Sequence, residues 1–273
     1  MAEPIQFLHE HVTVFTSALY QTNSVLIETP RAVFLVDPSW LPGEVLRIRA
    51  FVEQRRRERT LYLVFTHSDF DHILGYGAFP GARVIASGPF ADKLDKIKDI
   101  AQIRAFDLAH YIERPWSLTY PEPDITIRTD GKAMHFSGTV LTGYLAPGHT
   151  REGMYLLVEP PGVWIAGDYL SDVEFPFVED NIGAYRRTMA KTDRILRLHH
   201  VQWMVPGHGT VADSQQEILR RRDHALEYLD DLERAVGDPQ AFPTEKYRSR
   251  YPFWEALQEN HAKNIAHCRG VTR

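Results

Sequence analysis

The chain has 273 residues, 44% hydrophobic and 25% charged, with a formal net charge of -5. That composition describes a folded globular chain, and its mild acidity gives no electrostatic reason to bind nucleic acid or an anionic membrane. A single cysteine, Cys268, excludes an internal disulfide, and neither a signal peptide nor an apolar run of the roughly 18 residues that cross a bilayer is present in the sequence. The expectation is a cytoplasmic protein that acts on a small molecule, without a nucleic-acid or membrane partner.

Strands dominate the first third. HVTVF (11–15), SVLIET (24–29) and AVFLVD (32–37) are rich in β-branched and apolar residues, and Pro30-Arg31 punctuates a hairpin between the second and third. From Glu44, Val45, Ile48 and Val52 recur at helical spacing. The basic run EQRRRER reads as a solvated last turn that suits the helix dipole. Strands follow at 61–65 and 82–86, and residues 89–112 read as one helix. Three prolines in 113–124 mark a loop crossing between two halves. The second half is expected to hold strands at 125–128, 132–136, 139–146, 154–159 and 163–167. It continues with a helix over 182–198 and a strand at 202–206. A capping box, Ser214-Gln-Gln-Glu217, opens a long helix. Each half thus runs from strands to helices. Two such halves bury their apolar faces as two packed sheets with helices outside. One domain is expected over 1–273, with its core at about 12–236. The tail 237–273 reads as helical and is open to two roles, a cover for the site or a homodimer contact.

Most of the 13 histidines lie near termini or on helices, where hydrogen-bonded or surface roles are the ordinary ones. Three places differ. FTHSDFDHILG follows the apolar strand 61–65 and carries His67, Asp69, Asp71 and His72. APGHT places His149, and VPGHG places His208, just beyond other strands; IAGDY places Asp168 in the same way. Loops at strand ends, held by a rigid sheet, are where sites are built. Imidazoles and carboxylates are costly to bury unless something pairs with them, and no lysine or arginine crowds these motifs. Divalent cations fit that need. The sequence has no G-x-S-x-G elbow, no P-loop and no G-x-G-x-x-G fingerprint, so a serine nucleophile or a nucleotide cofactor is unsupported.

These residues resemble the metallo-β-lactamase superfamily. The family's H-x-H-x-D-H motif reads here as His67-Ser68-Asp69-Phe70-Asp71-His72, followed in order by His149, Asp168 and His208. The opening NSVLIET…AVFLVDPSW is also similar, leading to an aspartate loop at Asp37. The resemblance implies an α/β fold, a four-layer αββα sandwich of two packed mixed sheets. It implies two divalent metal ions: one on His67, Asp69 and His149, the other on Asp71, His72 and His208, with Asp168 bridging. Zinc is the family's usual metal. Asp69, standing where the family has histidine, adds negative charge and tilts the preference towards manganese or iron.

The implied reaction is hydrolysis by a hydroxide held on a dinuclear metal site, with Asp71 orienting the nucleophile and moving its proton. Trp40, Phe70, Tyr76, Tyr169, Phe175 and Phe177 flank the motif loops and point to an ester or lactone substrate. Tyr169 is expected to hydrogen-bond a developing oxyanion. The alternatives are a phosphodiester hydrolase, with only Arg151 close by to receive the anion, and a di-iron oxidoreductase related to the flavodiiron enzymes.

Overall fold

The computed structural model describes residues 5–269. Its first sheet begins with an antiparallel run, β1 (Ile5–Leu8), β2 (Val12–Thr16), β3 (Asn23–Glu28) and β4 (Ala32–Val36). Helix α1 (Pro42–Arg56) crosses over to β5 (Thr60–Val64), which pairs parallel to β4. A one-turn helix α2 (Phe70–Ile73) leads to β6 (Arg83–Ser87). Helices α3 (Gly88–Ala91) and α4 (Lys96–Ala109) then lead to β7 (Ile125–Ile127), and both β6 and β7 continue the parallel pairing. The seven strands lie in chain order.

The second sheet contains β8 (Lys132–Phe136), β9 (Thr139–Leu145), β10 (Met154–Glu159) and β11 (Val163–Ile165), all antiparallel neighbours. Helix α5 (Ile182–Leu198) leads to β12 (Trp203–Val205), which pairs parallel to β11. Helices α6 (Gln215–Arg234), α7 (Thr244–Arg250) and α8 (Gln258–Cys268) complete the described chain.

The two sheets share one buried layer, in which Val25, Ile27, Phe34, Val36 and Val64 meet Leu141, Leu156, Val158, Ile165 and Val205. On the outer face of the first sheet, Val45, Ile48 and Val52 of α1 pack against Val33, Leu35 and Leu63. On the outer face of the second, Tyr185, Met189 and Leu229 of α5 and α6 pack against Tyr155, Leu157 and Trp164. Strands such as β4 are buried at every position, which is why they read as continuous apolar runs rather than alternating ones. The result is the four-layer αββα sandwich.

Three details differ from the sequence reading. The strand at 125–127 belongs to the first sheet, where it pairs with β6, so the chain crosses between sheets after it rather than before. The helix expected over 89–112 breaks at 92–95. That break turns Lys93 inward, where its ammonium donates to Ser68, Asp99 and Glu152. Strand β1 lay outside the expected elements. In the tail, α7 and α8 are helical, residues 270–273 lie outside the described chain, and Tyr247, Tyr251 and Trp254 join the same buried cluster as Phe175 and Tyr228.

Candidate metal centre

The loops at the carboxyl ends of β5, β9, β11 and β12 converge. His67, Asp69, His149 and Asp168 offer ligand atoms within 4.8 Å of one another, as do Asp71, His72 and His208. Asp168 joins the two groups: its carboxylate oxygens lie 3.4 Å from His67 Nε2, 3.1 Å from His72 Nε2, and 3.3 Å from the Nε2 atoms of both His149 and His208. All seven residues singled out in the sequence therefore face one point.

Each histidine is anchored through its outer nitrogen. Nδ1 of His149 donates to the Phe177 carbonyl at 2.9 Å, and Nδ1 of His208 to the Tyr20 carbonyl at 2.8 Å. His72 Nδ1 donates to Asp37 Oδ2 at 3.0 Å, and His67 Nδ1 meets Thr66 Oγ1 at 3.0 Å. The outer bonds turn every Nε2 inward, which is how metal-ligating histidines are oriented. His67 Nε2, His149 Nε2 and Asp168 Oδ1 are buried and lack a well-directed hydrogen bond. Orphaned polar atoms of that kind are costly. A divalent cation between the two imidazoles would satisfy their Nε2 atoms, and one on the His72 side would satisfy Asp168 Oδ1, so the donor set fits the two metals the sequence implies.

Asp69 sits at the N-cap of α2 yet makes no capping hydrogen bond. An aspartate there ordinarily accepts from the first turn. Instead its Oδ2 lies 3.2 Å from His149 Nε2 and 3.7 Å from His67 Nε2. Asp71 Oδ2 lies 3.4 Å from His208 Nε2 and accepts from Thr22 Oγ1 at 3.3 Å.

The local folds that aim these groups are readable. Asp37 has φ +44° and accepts from the backbone N–H and hydroxyl of Thr66 at 2.9 and 2.6 Å, holding the start of the first motif loop against β4. Ser39 donates to the Asp71 carbonyl. The glycines before His149 and His208 are required by close approach. A Cβ on Gly148, at φ +132°, would stand 2.3 Å from the Tyr185 backbone, and one on Gly207 would stand 2.0 Å from Asp168 Oδ1.

The electrostatics follow from this crowding. Burial disfavours charge on the histidines, but the facing carboxylates outweigh it. His72 and His149 are held well above the ordinary imidazole value, and Glu174 and Asp168 raise His208 to about 10. Burial likewise opposes ionisation of Asp69 and Asp168, yet the histidines hold both well below the usual carboxylate range. Burial, with Asp168 and Asp71 adding to it and His208 opposing, lifts Glu174 to about 7.

Tyr169 is placed differently from its expected role. Its hydroxyl accepts from the His149 backbone N–H at 2.8 Å and donates to the Ala146 carbonyl at 2.9 Å, and the residue is buried. Both hydrogen-bonding functions are spent on bracing the His149 loop, so no donor remains for an oxyanion. The flanking aromatics divide in the same manner. Trp40, Tyr169 and Phe175 are core, whereas Phe70, Tyr76 and Phe177 are only partly buried. Arg151 is exposed. Sequence reasoning missed Thr22, Glu174 and the carbonyls of Tyr20 and Phe177. Backbone carbonyls carry no residue signature, and Glu174 lies in a loop without a motif.

The sequence profile of the Metallo-beta-lactamase superfamily matches residues 18–240. A metallo-beta-lactamase type 2 of Bacillus sp. (strain 170) is 22% identical over 209 residues, 76% of this chain and 74% of that protein. Among solved structures, a double mutant of the sec-alkyl sulfatase PisA1 superposes with TM-score 0.67 at 12% identity, covering 87% of this chain and 43% of the other. A B3 metallo-beta-lactamase described as having an active site glutamic acid superposes with TM-score 0.58 at 16% identity, covering 84% and 90%. The sandwich and its His/Asp cluster have the form of a fold with a divalent-metal site. The chain belongs to the metallo-beta-lactamase superfamily. Among the described residues no helix is long and apolar enough to cross a membrane.

Proposed function

We propose that the protein is a metal-dependent hydrolase of an ester or lactone, with His67, Asp69 and His149 holding one cation, Asp71, His72 and His208 the other, and Asp168 shared. The carrying observation is the four Nε2 atoms within 3.4 Å of one carboxylate while each Nδ1 is occupied outside. Two divalent cations at such a site lower the pKa of water and polarise a substrate oxygen. Asp71 orients the attacking water and takes its proton, with Thr22 Oγ1 fixing the carboxylate. Asp69 makes the ligand set more anionic. Three carboxylates leave two divalent cations with one net positive charge, where histidine at 69 would leave two. That charge supports zinc accompanied, or replaced, by harder ions such as manganese or iron. The solved neighbour with an active site glutamic acid is consistent with an acidic residue being compatible with this fold.

The surroundings support an uncharged acyl substrate over a phosphodiester. Glu174 and Glu179 stand beside the centre, where burial and the site's own carboxylates raise both and favour their neutral forms, so this side of the site offers no cationic partner for a phosphodiester. Phe70, Phe177 and half-exposed Tyr20 supply apolar surface. The test is metal analysis followed by turnover of a lactone, a thioester and an aryl phosphodiester by wild type and Asp71→Asn. Lactone or ester hydrolysis lost in the variant with metal retained supports the proposal; phosphodiester turnover alone transfers support to that alternative. Asp69 also supports a second reading, a di-iron oxidoreductase. Bound iron with oxygen-linked electron transfer and no hydrolysis would select it.

A further inference from the structure

His149 is held by a segment with no regular secondary structure, residues 171–181. Its carbonyl accepts from the N–H groups of Glu179 and Asp180 at 2.9 and 3.1 Å, and its Nδ1 donates to the Phe177 carbonyl. A loop makes an imprecise anchor unless something else fixes it. Here the fixing group comes from α8, more than 80 residues further along the chain. Asn264 Oδ1 accepts from the Val178 N–H at 2.9 Å, and Nδ2 donates to the Pro176 carbonyl at 2.6 Å. The side-chain amide therefore brackets Phe177 as a neighbouring β-strand would, gripping the peptide groups on either side of the carbonyl that orients His149.

Asn264 is itself fully held. It is 2% exposed, and its second N–H donates to the Tyr228 hydroxyl at 3.0 Å. That hydroxyl lies 2.9 Å from His261 Nδ1, and burial lowers His261 to about 4, leaving the imidazole neutral and able to accept. Phe175, two residues before Phe177, stacks on Tyr228 with ring centres 4.7 Å apart. Every polar atom of the Asn264 amide is thus matched, and the line of contacts runs from the C-terminal helix to one ligand of one metal site. His208 is held from another part of the chain: its Nδ1 donates to the Tyr20 carbonyl in the β2–β3 turn, and Asn23 Nδ2 donates to the Pro206 and Gly209 carbonyls on either side of it.

We propose that Asn264 is a positioning residue for the His67–Asp69–His149 half of the metal centre, acting through the Phe177 carbonyl on the orientation of His149. The C-terminal tail is then a working part of the site rather than an appendage. This rests on the metal reading of the preceding section. Outer-shell partners of ligating histidines typically affect metal affinity by about 10- to 100-fold.

The test is competitive chelator titration of zinc into the full chain as wild type, Asn264→Ala, Asn264→Asp and, as a control, Tyr247→Phe. The control removes a buried tail hydroxyl whose hydrogen bond goes to Asp231 at 2.6 Å, and it keeps the ring that packs on Tyr228. The aspartate variant keeps the side chain's size and its acceptor for Val178 while losing both donors. It decides the matter should the alanine variant fail to fold. Loss of about 10- to 100-fold at one zinc equivalent only, the same equivalent that His149→Ala removes and His208→Ala spares, is expected for both Asn264 variants. The control should lower the unfolding temperature with both affinities unchanged. Wild-type affinities in the Asn264 variants, or equal weakening at both equivalents, overturn the proposal. Wild type taking up no zinc instead defeats the metal reading itself.

Discussion

Gly207→Ala probes how tightly the bridging carboxylate is packed. The added Cβ would stand 2.0 Å from Asp168 Oδ1, and real Cβ contacts essentially never fall under 3.0 Å, so something must move by about 1 Å. The Gly207 backbone cannot easily retreat. Its N–H donates to the Gly167 carbonyl at 2.6 Å, and its carbonyl accepts from Asn23 at 2.7 Å. The displacement therefore falls on Asp168, whose oxygens sit 3.1 to 3.4 Å from four imidazole nitrogens. Disturbing the support of a metal ligand typically costs about 10- to 100-fold in metal affinity, roughly 1.4 to 2.7 kcal/mol. The assay is zinc affinity by chelator competition, with Gly43→Ala as control, since a Cβ there meets only Arg47 at an ordinary 3.6 Å. Wild-type zinc affinity in Gly207→Ala, with Asp168 unmoved in a crystal structure, would refute the packing argument.

Asp69→His removes one negative charge from the ligand set, so the ratio of zinc to manganese retained after dialysis should rise; an unchanged ratio counts against direct ligation by Asp69. Zinc must displace protons from imidazoles whose values are raised in the metal-free fold, His208 to about 10, so binding should release protons and tighten as pH rises from 7 to 10. Calorimetry in buffers of different ionisation enthalpy reads that release, and a pH-independent affinity over this range would contradict it. Stability of the metal-free chain should run the other way. The contribution of protonated His208 is complete below its unfolded value near 6.5 and disappears as pH rises through about 10. Tyr169→Phe should lower the unfolding free energy by about 1 to 3 kcal/mol, because it leaves the buried His149 N–H and Ala146 carbonyl unpaired. A selective fall in kcat without a change in stability would restore the oxyanion role.

The ligands were legible because they break a pattern. His67, His149, Asp168 and His208 each follow an apolar strand, and charge at a buried strand end requires a partner. The sheets were legible from continuous β-branched runs such as AVFLV. Strand β7 was misassigned because three residues after a proline-rich loop carry no signal for which sheet they join; only the pairing with β6 decides it. Tyr169 was misread because adjacency to Asp168 along the chain does not fix side-chain direction: both lie in the loop beyond β11, after Gly167 at φ +53°, and only the fold sends the phenol to the His149 loop. Asn264 lay beyond reach for a different reason. A lone asparagine on a C-terminal helix looks like any surface residue until the fold sets it against Phe177.

The central claim is that distant side chains converge to hold two cations around Asp168. Anomalous diffraction from zinc-loaded crystals tests it most directly. The account predicts two peaks, one among His67, Asp69 and His149, the other among Asp71, His72 and His208, with Asp168 touching both. Peaks elsewhere, or none from protein exposed to saturating zinc, would contradict it.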